Sequence, residues 1–398
     1  MSASSTGPGA LSSSEETRRF SGGLASRLDC LLAGAGVVGL LAAVVASPSE
    51  ASSAASQDWS PFVLVTGLLL IGLVVDDDGL FAAAGHQLAR VASSGAVLFV
   101  GATVMVAVVT AVLNLDTSVA FLTPVLVYTA RSRGGGEAPL VYGCLLFSNG
   151  GSLFLTGSNL TNLIVLGHHH MSGAGFLARM WAPALAALVV TALVVAVFER
   201  RTLRLSAGEL TTPTRPKLGL GLIAVVLATV LVLALGSPAL PVAIVGVVVV
   251  GIRLAAKKEH LGHVAGVLGV PVLVGLFGVA VALGTLGRAW SGPATLLSHL
   301  DPWGTGALAA ASSVLVNNLP AASLLSARRP GHPFALLVGL NLGPNLFVTG
   351  SLAWLLWLRT ARAAGAEPSI AKASRIGVVA VPLSMAAALA VLVLTGAS

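Results

Sequence analysis

Long apolar segments constrain this chain more than any other feature of its sequence. Three of them lie at residues 31–46, 218–235 and 376–394. A run of about 20 apolar residues crosses a hydrocarbon layer of about 30 Å as a helix. Only 9% of the residues are charged, against about 25% in an average soluble domain, and the alternating segments typical of a membrane β-barrel are missing. The sequence therefore predicts an all-α polytopic membrane protein.

The apolar pattern predicts nine full spans and two re-entrant hairpins. We place the spans at 28–46, 61–75, 140–168, 177–198, 217–235, 238–254, 264–286, 333–358 and 376–396. The hairpins lie at 95–131 and 304–327, because these apolar segments carry polar residues in their middle rather than at an end. Residues 1–27 are polar and rich in Ser and Gly, which is typical of a disordered tail.

The positions of Lys and Arg predict which side of the membrane each loop faces. With the N-terminus in the cytoplasm, 18 of the 22 basic residues lie on the cytoplasmic side. The four outside are Arg179, Arg288, Arg328 and Arg329. This asymmetry follows the positive-inside rule, so we expect a bacterial inner-membrane protein with a cytoplasmic tail at 1–27 and a cytoplasmic linker at 199–217. Because the basic residues lie in short loops between spans, we expect no nucleic-acid partner.

Two sequence matches predict an internal repeat. Residues 153–158 read LFLTGS and residues 346–351 read LFVTGS, with five of six positions identical. Upstream of each, in the same order, residues 111–116 read AVLNLD and residues 313–318 read SVLVNN. In the orientation above the two hairpins enter from opposite sides. We therefore predict two inverted repeats, 28–198 and 218–398, each with a re-entrant hairpin and a broken transmembrane helix.

The hairpin tips and the breaks supply the candidate site. Each Thr-Gly-Ser interrupts a long apolar span, where glycine weakens the helix and the hydroxyls can bond to the freed backbone. Asp116 is the acid we place at membrane depth, since every other acid is assigned to a tail, a loop or a span end. An acid at that depth is costly and by default functional, although it could instead cap the following helix. The predicted substrate and ion site contains Asn114, Asp116, Thr117, Thr156, Gly157, Ser158, Asn159, Asn162, Asn317, Asn318, Asn341, Asn345, Thr349, Gly350 and Ser351.

These same segments resemble those of ArsB-type arsenite/antimonite efflux permeases. Residues 113–117, LNLDT, resemble the Asn-Asp-Thr hairpin of that family, and residues 157–165, GSNLTNLIV, are similar to its Gly-Asn-Pro-Gln-Asn-Leu-Ile-Val segment. Residues 316–320, VNNLP, resemble its second hairpin tip. The resemblance covers roughly residues 73–362. Leu115 and Asn345 depart from the pattern, because the family usually has Asn or Ala at the first position and often Lys at the second.

The resemblance implies membership of a wider ion transporter superfamily, whose members include sodium/proton antiporters of the NhaD type and divalent anion:sodium symporters. It implies proton-coupled efflux of arsenite and antimonite, in which Asp116 carries the coupling proton. Uncharged amides and hydroxyls suit a neutral polyhydroxyl such as arsenous acid. A sodium/proton antiporter and a carboxylate or sulfate symporter stay open as alternatives, although the lack of a mid-membrane Lys or Arg counts against the anion.

The sequence indicates a transporter rather than an enzyme. It has no P-loop of the form GxxxxGK[ST], so we expect no ATP hydrolysis by this chain, and we expect no cofactor and no metal site. The histidines at 168–170 have no nearby carboxylate or thiol and are not interpreted as metal ligands. A separate ATPase subunit and a homodimeric assembly are both compatible with this interpretation.

Overall fold

The computed structural model describes residues 30–168, 171–203 and 219–396. The predicted tail at 1–27, most of the linker at 199–217 and two of the three histidines at 168–170 lie outside these ranges. Within them all regular structure is helical, which confirms the predicted class. Five helical stretches are long and apolar enough to cross a membrane.

Eighteen α-helices follow one another along the described ranges. They are α1 (Cys30–Ala46), α2 (Pro48–Asp77), α3 (Leu80–Val91), α4 (Gly95–Val112), α5 (Leu115–Ser132), α6 (Ala138–Gly151), α7 (Leu160–Val165), α8 (Gly173–Phe198), α9 (Leu220–Ala234), α10 (Ala239–Ala255), α11 (Leu261–Leu268), α12 (Val270–Ala289), α13 (Gly292–Ser298), α14 (Pro302–Val316), α15 (Asn318–Leu325), α16 (Pro333–Leu342), α17 (Ala353–Ala363) and α18 (Ile370–Leu394). Short 3₁₀ turns lie at Thr156–Ser158, Leu166–His168 and Gly343–Asn345.

The same order of elements occurs twice in this list. A long helix, a short helix, a helical hairpin, an interrupted helix and another long helix appear as α2 to α8 and again as α12 to α18. The predicted hairpins are the pairs α4–α5 and α14–α15, and the predicted broken helices are α6–α7 and α16–α17. The inverted orientation of the two copies, and the boundaries 28–198 and 218–398, stay predictions.

The two copies are interleaved rather than side by side. The first hairpin packs through α5 against α17, which is the second half of the other copy's broken helix. The second hairpin packs through α15 against α7 in the same way. The last helices of the two copies, α8 and α18, lie against each other. This arrangement brings both breaks and both hairpin tips to one region of the bundle.

Helix α2 is longer than the span predicted at 61–75, because it begins at Pro48. Proline is tolerated in the first turn, where its missing N–H has no partner to lose. The stretch that follows is rich in Ser and Ala and has few large apolar residues, which is why no helix was predicted there. Asp58 therefore lies inside a helix and is 1% exposed. The expectation that Asp116 is the one acid away from tails, loops and span ends is wrong for this reason.

A buried ion pair fixes the other end of α2. The Asp78 carboxylate pairs with Arg253 at the end of α10 and accepts a hydrogen bond from the N–H of Gly221 in α9 at 2.8 Å. The side chain of Asp78 is only 4% exposed. One carboxylate thus connects three helices where they leave the core.

We expect Asp78→Ala to destabilise the protein by about 3–5 kcal/mol, because it leaves the largely buried Arg253 without its counter-charge. Glu137→Ala is the matched control, since it removes a more exposed partner of Arg131 and should change stability by about 1 kcal/mol or less. Thermal unfolding of the purified protein in detergent measures both. Equal unfolding temperatures for the two variants would contradict the role assigned to Asp78.

Candidate transport site

The two broken helices are joined by buried amide and hydroxyl groups, with Asn341 at the centre. The Oδ1 of Asn341 accepts hydrogen bonds from Ser152 Oγ at 2.5 Å and from Asn159 Nδ2 at 2.7 Å. Its Nδ2 donates to Asn162 Oδ1 at 2.9 Å. One side chain at the end of α16 therefore contacts three polar residues around the break between α6 and α7.

A second link runs parallel to the first. Asn149 Nδ2 donates to Asn345 Oδ1 at 2.8 Å, and Asn345 Nδ2 donates to the carbonyl of Leu146 at 3.2 Å. We call the six residues of the two links the amide clamp. They are Asn149, Ser152, Asn159, Asn162, Asn341 and Asn345, all buried.

The amide clamp changes the interpretation of four predicted site residues. Asn159, Asn162, Asn341 and Asn345 are brought together as expected, but their amides bond mainly to one another and to the protein backbone. Buried polar groups need such partners. Sequence reasoning missed Asn149 and Ser152, although both are polar residues within an apolar segment, a few positions before the first Thr-Gly-Ser.

The tip of the second hairpin is bound directly to the second break. The N–H of Asn318 donates to the carbonyl of Gly350 at 2.9 Å, and Thr349 Oγ1 donates to the carbonyl of Val314 at 2.7 Å. Asn317 has φ of 77° and ψ of 148° at the turn, a backbone conformation that L-residues rarely adopt. The predicted neighbours Asn317, Asn318, Thr349 and Gly350 thus lie together.

The tip of the first hairpin is organised differently. Asn114 Oδ1 accepts from the N–H of Thr117 at 2.6 Å and so caps α5. The capping role considered for Asp116 therefore belongs to Asn114. Asp116 lies in the first turn of α5, is half-buried, and forms no hydrogen bond or ion pair within the part of the chain described here. The nearby helix N-terminus favours a negative charge at this position.

Several buried polar atoms around the first tip have no hydrogen-bond partner within residues 30–168, 171–203 and 219–396. On the first hairpin these are Thr110 Oγ1, Asn114 Nδ2, Thr117 Oγ1 and Ser118 Oγ. A buried donor or acceptor without a partner costs roughly 1–3 kcal/mol, so such atoms are expected to meet a ligand or water. Thr110 and Ser118 were missed by the sequence prediction, although their nearness in sequence to Asn114 is a usable signal.

Ser351 is the corresponding case at the second break. Its side chain is 2% exposed and its Oγ has no partner. At the first break, Ser158 Oγ instead donates to the carbonyl of Ser152 at 2.7 Å. The two Thr-Gly-Ser copies therefore differ in which hydroxyl group stays available.

Two cavities approach this region. The Asp116 cavity has a volume of about 350 Å³ and is lined by Asp116, Arg359 and mainly apolar side chains such as Leu69 and Leu276. The Arg288 cavity has a volume of about 410 Å³ and is more polar. Its lining includes Ser53, Ser56, Gln57, Ser60, Thr156, Ser237 and Arg288.

Helix α2 lines both cavities. Six residues of α2 face the Arg288 cavity, the first being Ser53 and the last Leu64, whereas Val65 and Leu69 face the Asp116 cavity. The two cavities therefore follow one another along α2, with the change between Leu64 and Val65. Arg288 shares its cavity with Thr156 of the first break.

A cluster with metal-binding chemistry lies away from the breaks. Three side chains each offer one ligand atom, and these atoms lie within 4.8 Å of one another. They belong to Asp77, Glu259 and His263. Burial alone would raise the pKa of the Glu259 carboxyl. Hydrogen bonds from the His260 N–H and from His263 outweigh burial and hold this pKa below its ordinary value. Sequence analysis expected no metal site and overlooked this cluster.

Comparison with known proteins now identifies the family. Residues 30–336 match the family profile described as citrate transporter, CitMHS. The chain belongs to the CitMHS family. It is also 26% identical over 336 residues to the arsenical pump membrane protein of Yersinia enterocolitica, covering 75% of this chain and 78% of the relative. The Escherichia coli K12 protein of the same name is 25% identical with the same coverage.

This CitMHS member is also similar to another bacterial membrane protein and to a transporter of known structure. The inner membrane protein YbiR of Escherichia coli K12 is 27% identical over 310 residues, covering 77% of this chain and 81% of the relative. The crystal structure of the YdaH transporter of Alcanivorax borkumensis matches with a TM-score of 0.52 and 15% identity, over 86% of each chain. The resemblance found in the sequence is confirmed, and the chain is a secondary transporter with membrane-spanning helices.

The two Thr-Gly-Ser glycines should respond differently to alanine. A Cβ at Gly350 would lie 2.5 Å from the Cα of Pro344, whereas a Cβ at Gly157 would lie 3.4 Å from the nearest atoms, in Leu64 and Val232. We expect Gly350→Ala to lower stability by about 1–3 kcal/mol, a typical cost of overpacking. Gly157→Ala should be close to wild type. Thermal unfolding in detergent measures the difference, and a reversed order would contradict the packing described.

Proposed function

We propose that this chain exports arsenite and antimonite from the cytoplasm, driven by proton entry, and that Asp116 is the coupling carboxylate. The proposal rests on the position of Asp116 at a cavity and on the lack, within the described part of the chain, of a protein partner for its carboxyl group. Asp116 lines a cavity, it has no protein partner among the described residues, and it belongs to the hairpin tip on which Asn114, Thr117 and Ser118 carry unpartnered buried groups.

The chemistry of these groups supports a neutral polyhydroxyl substrate. An amide and two hydroxyl groups can donate and accept hydrogen bonds without adding charge. Arsenous acid has hydroxyl groups that could satisfy them in return. The carboxylate of Asp116 then changes its charge when it binds or releases a proton, which a fixed amide cannot do.

The arrangement of cavities supports alternating access. We propose that the N-terminus is cytoplasmic, that the two copies are inverted, and that the Asp116 cavity faces the cytoplasm while the Arg288 cavity faces outside. Transporters of this kind bind substrate near the mid-plane, where two inverted repeats meet at broken helices. The amide clamp would keep both breaks together while the first hairpin changes its position.

A carboxylate symporter is the second candidate, because Arg288 lines a polar cavity that also reaches Thr156. A guanidinium group binds carboxylates well, and the family profile is named for citrate transport. Everted vesicles given arsenite, citrate or sodium under the same imposed proton gradient separate these functions. Movement of citrate without movement of arsenite would overturn the primary proposal.

Asp116→Asn mimics a permanently protonated side chain, so we expect the variant to insert normally but to lose proton-driven export. Asp116→Glu should keep part of the activity, since its carboxyl group still titrates. The measurement is arsenite accumulation in everted vesicles over a pH series, normalised to protein amount. If Asp116→Asn still concentrates arsenite in response to a proton gradient, Asp116 is not the coupling residue.

The proposed orientation predicts opposite accessibility for two exposed loop residues. Ser237 lies between α9 and α10, and Lys258 follows α10. In a Cys30→Ser background, which removes the exposed native thiol, Ser237→Cys should react with a membrane-impermeant maleimide in intact cells. Lys258→Cys should react only in everted vesicles. The opposite pattern would exclude a cytoplasmic N-terminus.

A further inference from the structure

Asp58 is a buried carboxylate that the proposed mechanism does not yet use. It lies inside α2 and is 1% exposed. Its Oδ2 accepts a hydrogen bond from Ser323 Oγ at 3.1 Å. Ser323 belongs to α15, the limb of the second hairpin that continues from the tip bound to Gly350. Asp58 thus connects α2 directly to the second hairpin.

The neighbouring residue connects α2 to two more elements. Gln57 Nε2 donates to the carbonyl of Ile164 in α7 at 2.8 Å, and Gln57 Oε1 accepts from the guanidinium group of Arg288 in α12. Gln57 and Arg288 both line the Arg288 cavity. Asp58 is not itself among the residues that line the cavity, but it follows Gln57 in the chain and interacts electrostatically with Arg288.

The charged groups around Asp58 are few. Arg288 in α12 interacts electrostatically with Asp58 and also with Glu50 near the start of α2. Arg328 donates to the backbone carbonyl of Arg288 at 2.8 Å. Helices α7 and α15 carry no titratable side chain. The charge of Asp58 is therefore offset chiefly by Arg288, which is not in direct ion-pair contact with it.

We propose that Asp58 is a second proton-binding carboxylate of the transport cycle, which exchanges its proton with the Arg288 cavity and thereby controls the contact between α2 and the second hairpin. The inference rests on the proposed function in one respect, which is that transport is coupled to protons. An exporter driven by proton entry takes up its protons from outside, and a carboxylate near the Arg288 cavity is placed to receive them. Asp116 opens onto the other cavity.

Protonation of Asp58 has two physical consequences. The ionised carboxylate is a strong acceptor for the Ser323 hydroxyl, whereas the neutral carboxyl group is a weaker one. Ser323 Oγ already lies 3.4 Å from the carbonyl of Leu319 in its own helix, so it has an alternative acceptor. Loss of the negative charge also leaves Arg288 as a net positive charge at the cavity wall.

Infrared difference spectroscopy of the full chain in bilayers, recorded between acidic and alkaline pH, tests the proposal without any transported substrate. The chain has 15 Asp and Glu residues, and each one that titrates adds to the protonated-carboxyl absorption, so we expect one component band at acidic pH to be missing in Asp58→Asn. The matched control is Glu50→Gln, which neutralises an acid of the same helix and should keep that band. An unchanged spectrum of Asp58→Asn would overturn the proposal.

Ser323→Ala separates a proton-linked role from a merely structural one. It keeps the carboxyl group and removes its hydroxyl partner, so the Asp58 band should persist at a shifted frequency. A band that keeps its frequency would contradict the assigned contact. In vesicles, Ser323→Ala should alter the dependence of arsenite export on the pH of the side facing the Arg288 cavity. No alteration would contradict control of the second hairpin.

The two proposals fail in different ways. If Asp116→Asn still exports arsenite with a proton gradient while the Asp58 band is present and lost in Asp58→Asn, the coupling role of Asp116 is wrong and the role of Asp58 stands. If Asp116→Asn abolishes export and the Asp58→Asn spectrum equals that of wild type, the coupling role of Asp116 stands and the role of Asp58 is wrong.

Discussion

The hydrogen bonds between the two broken helices are the interaction on which the rest of this structure depends. A helix interrupted at membrane depth exposes N–H and C=O groups that lipid cannot satisfy. Here Asn341 and Asn345 from one break bond to Ser152, Asn149 and neighbouring groups of the other. Each interruption thus stabilises its counterpart, and neither half of the chain could bury its break alone.

With the breaks fixed in this way, the two hairpins are free to differ. The second tip is bonded to the second break through Asn318 and Thr349, so the tip and that break form one unit. The first tip keeps unpartnered groups in Asn114, Thr117 and Ser118 and carries the acid Asp116. Two similar sequences therefore differ in which of their polar groups already have a protein partner.

The sequence predicted the class and the main landmarks because both depend on local patterns. Apolar runs identify spanning helices, and the paired Thr-Gly-Ser segments identify both breaks. The partners of Asn341 could not be predicted, because they lie about 180 residues away and only the packing brings them together. The N-terminal part of α2 was missed because its burial depends on small residues such as Ala51 and Ala54 packing against neighbours, which leaves no hydrophobic signal.

The position of the two cavities along α2 has an electrical consequence. In the proposed orientation the two cavities would bring the two aqueous phases towards each other along α2, so that most of the membrane voltage would fall across the layer between them, near Leu64 and Val65. An elementary charge that crosses the full voltage gains or loses about 2.3 kcal/mol per 100 mV. A proton that passes from one cavity to the other would gain or lose most of this energy within that layer. The membrane potential would therefore act on transport at this part of α2.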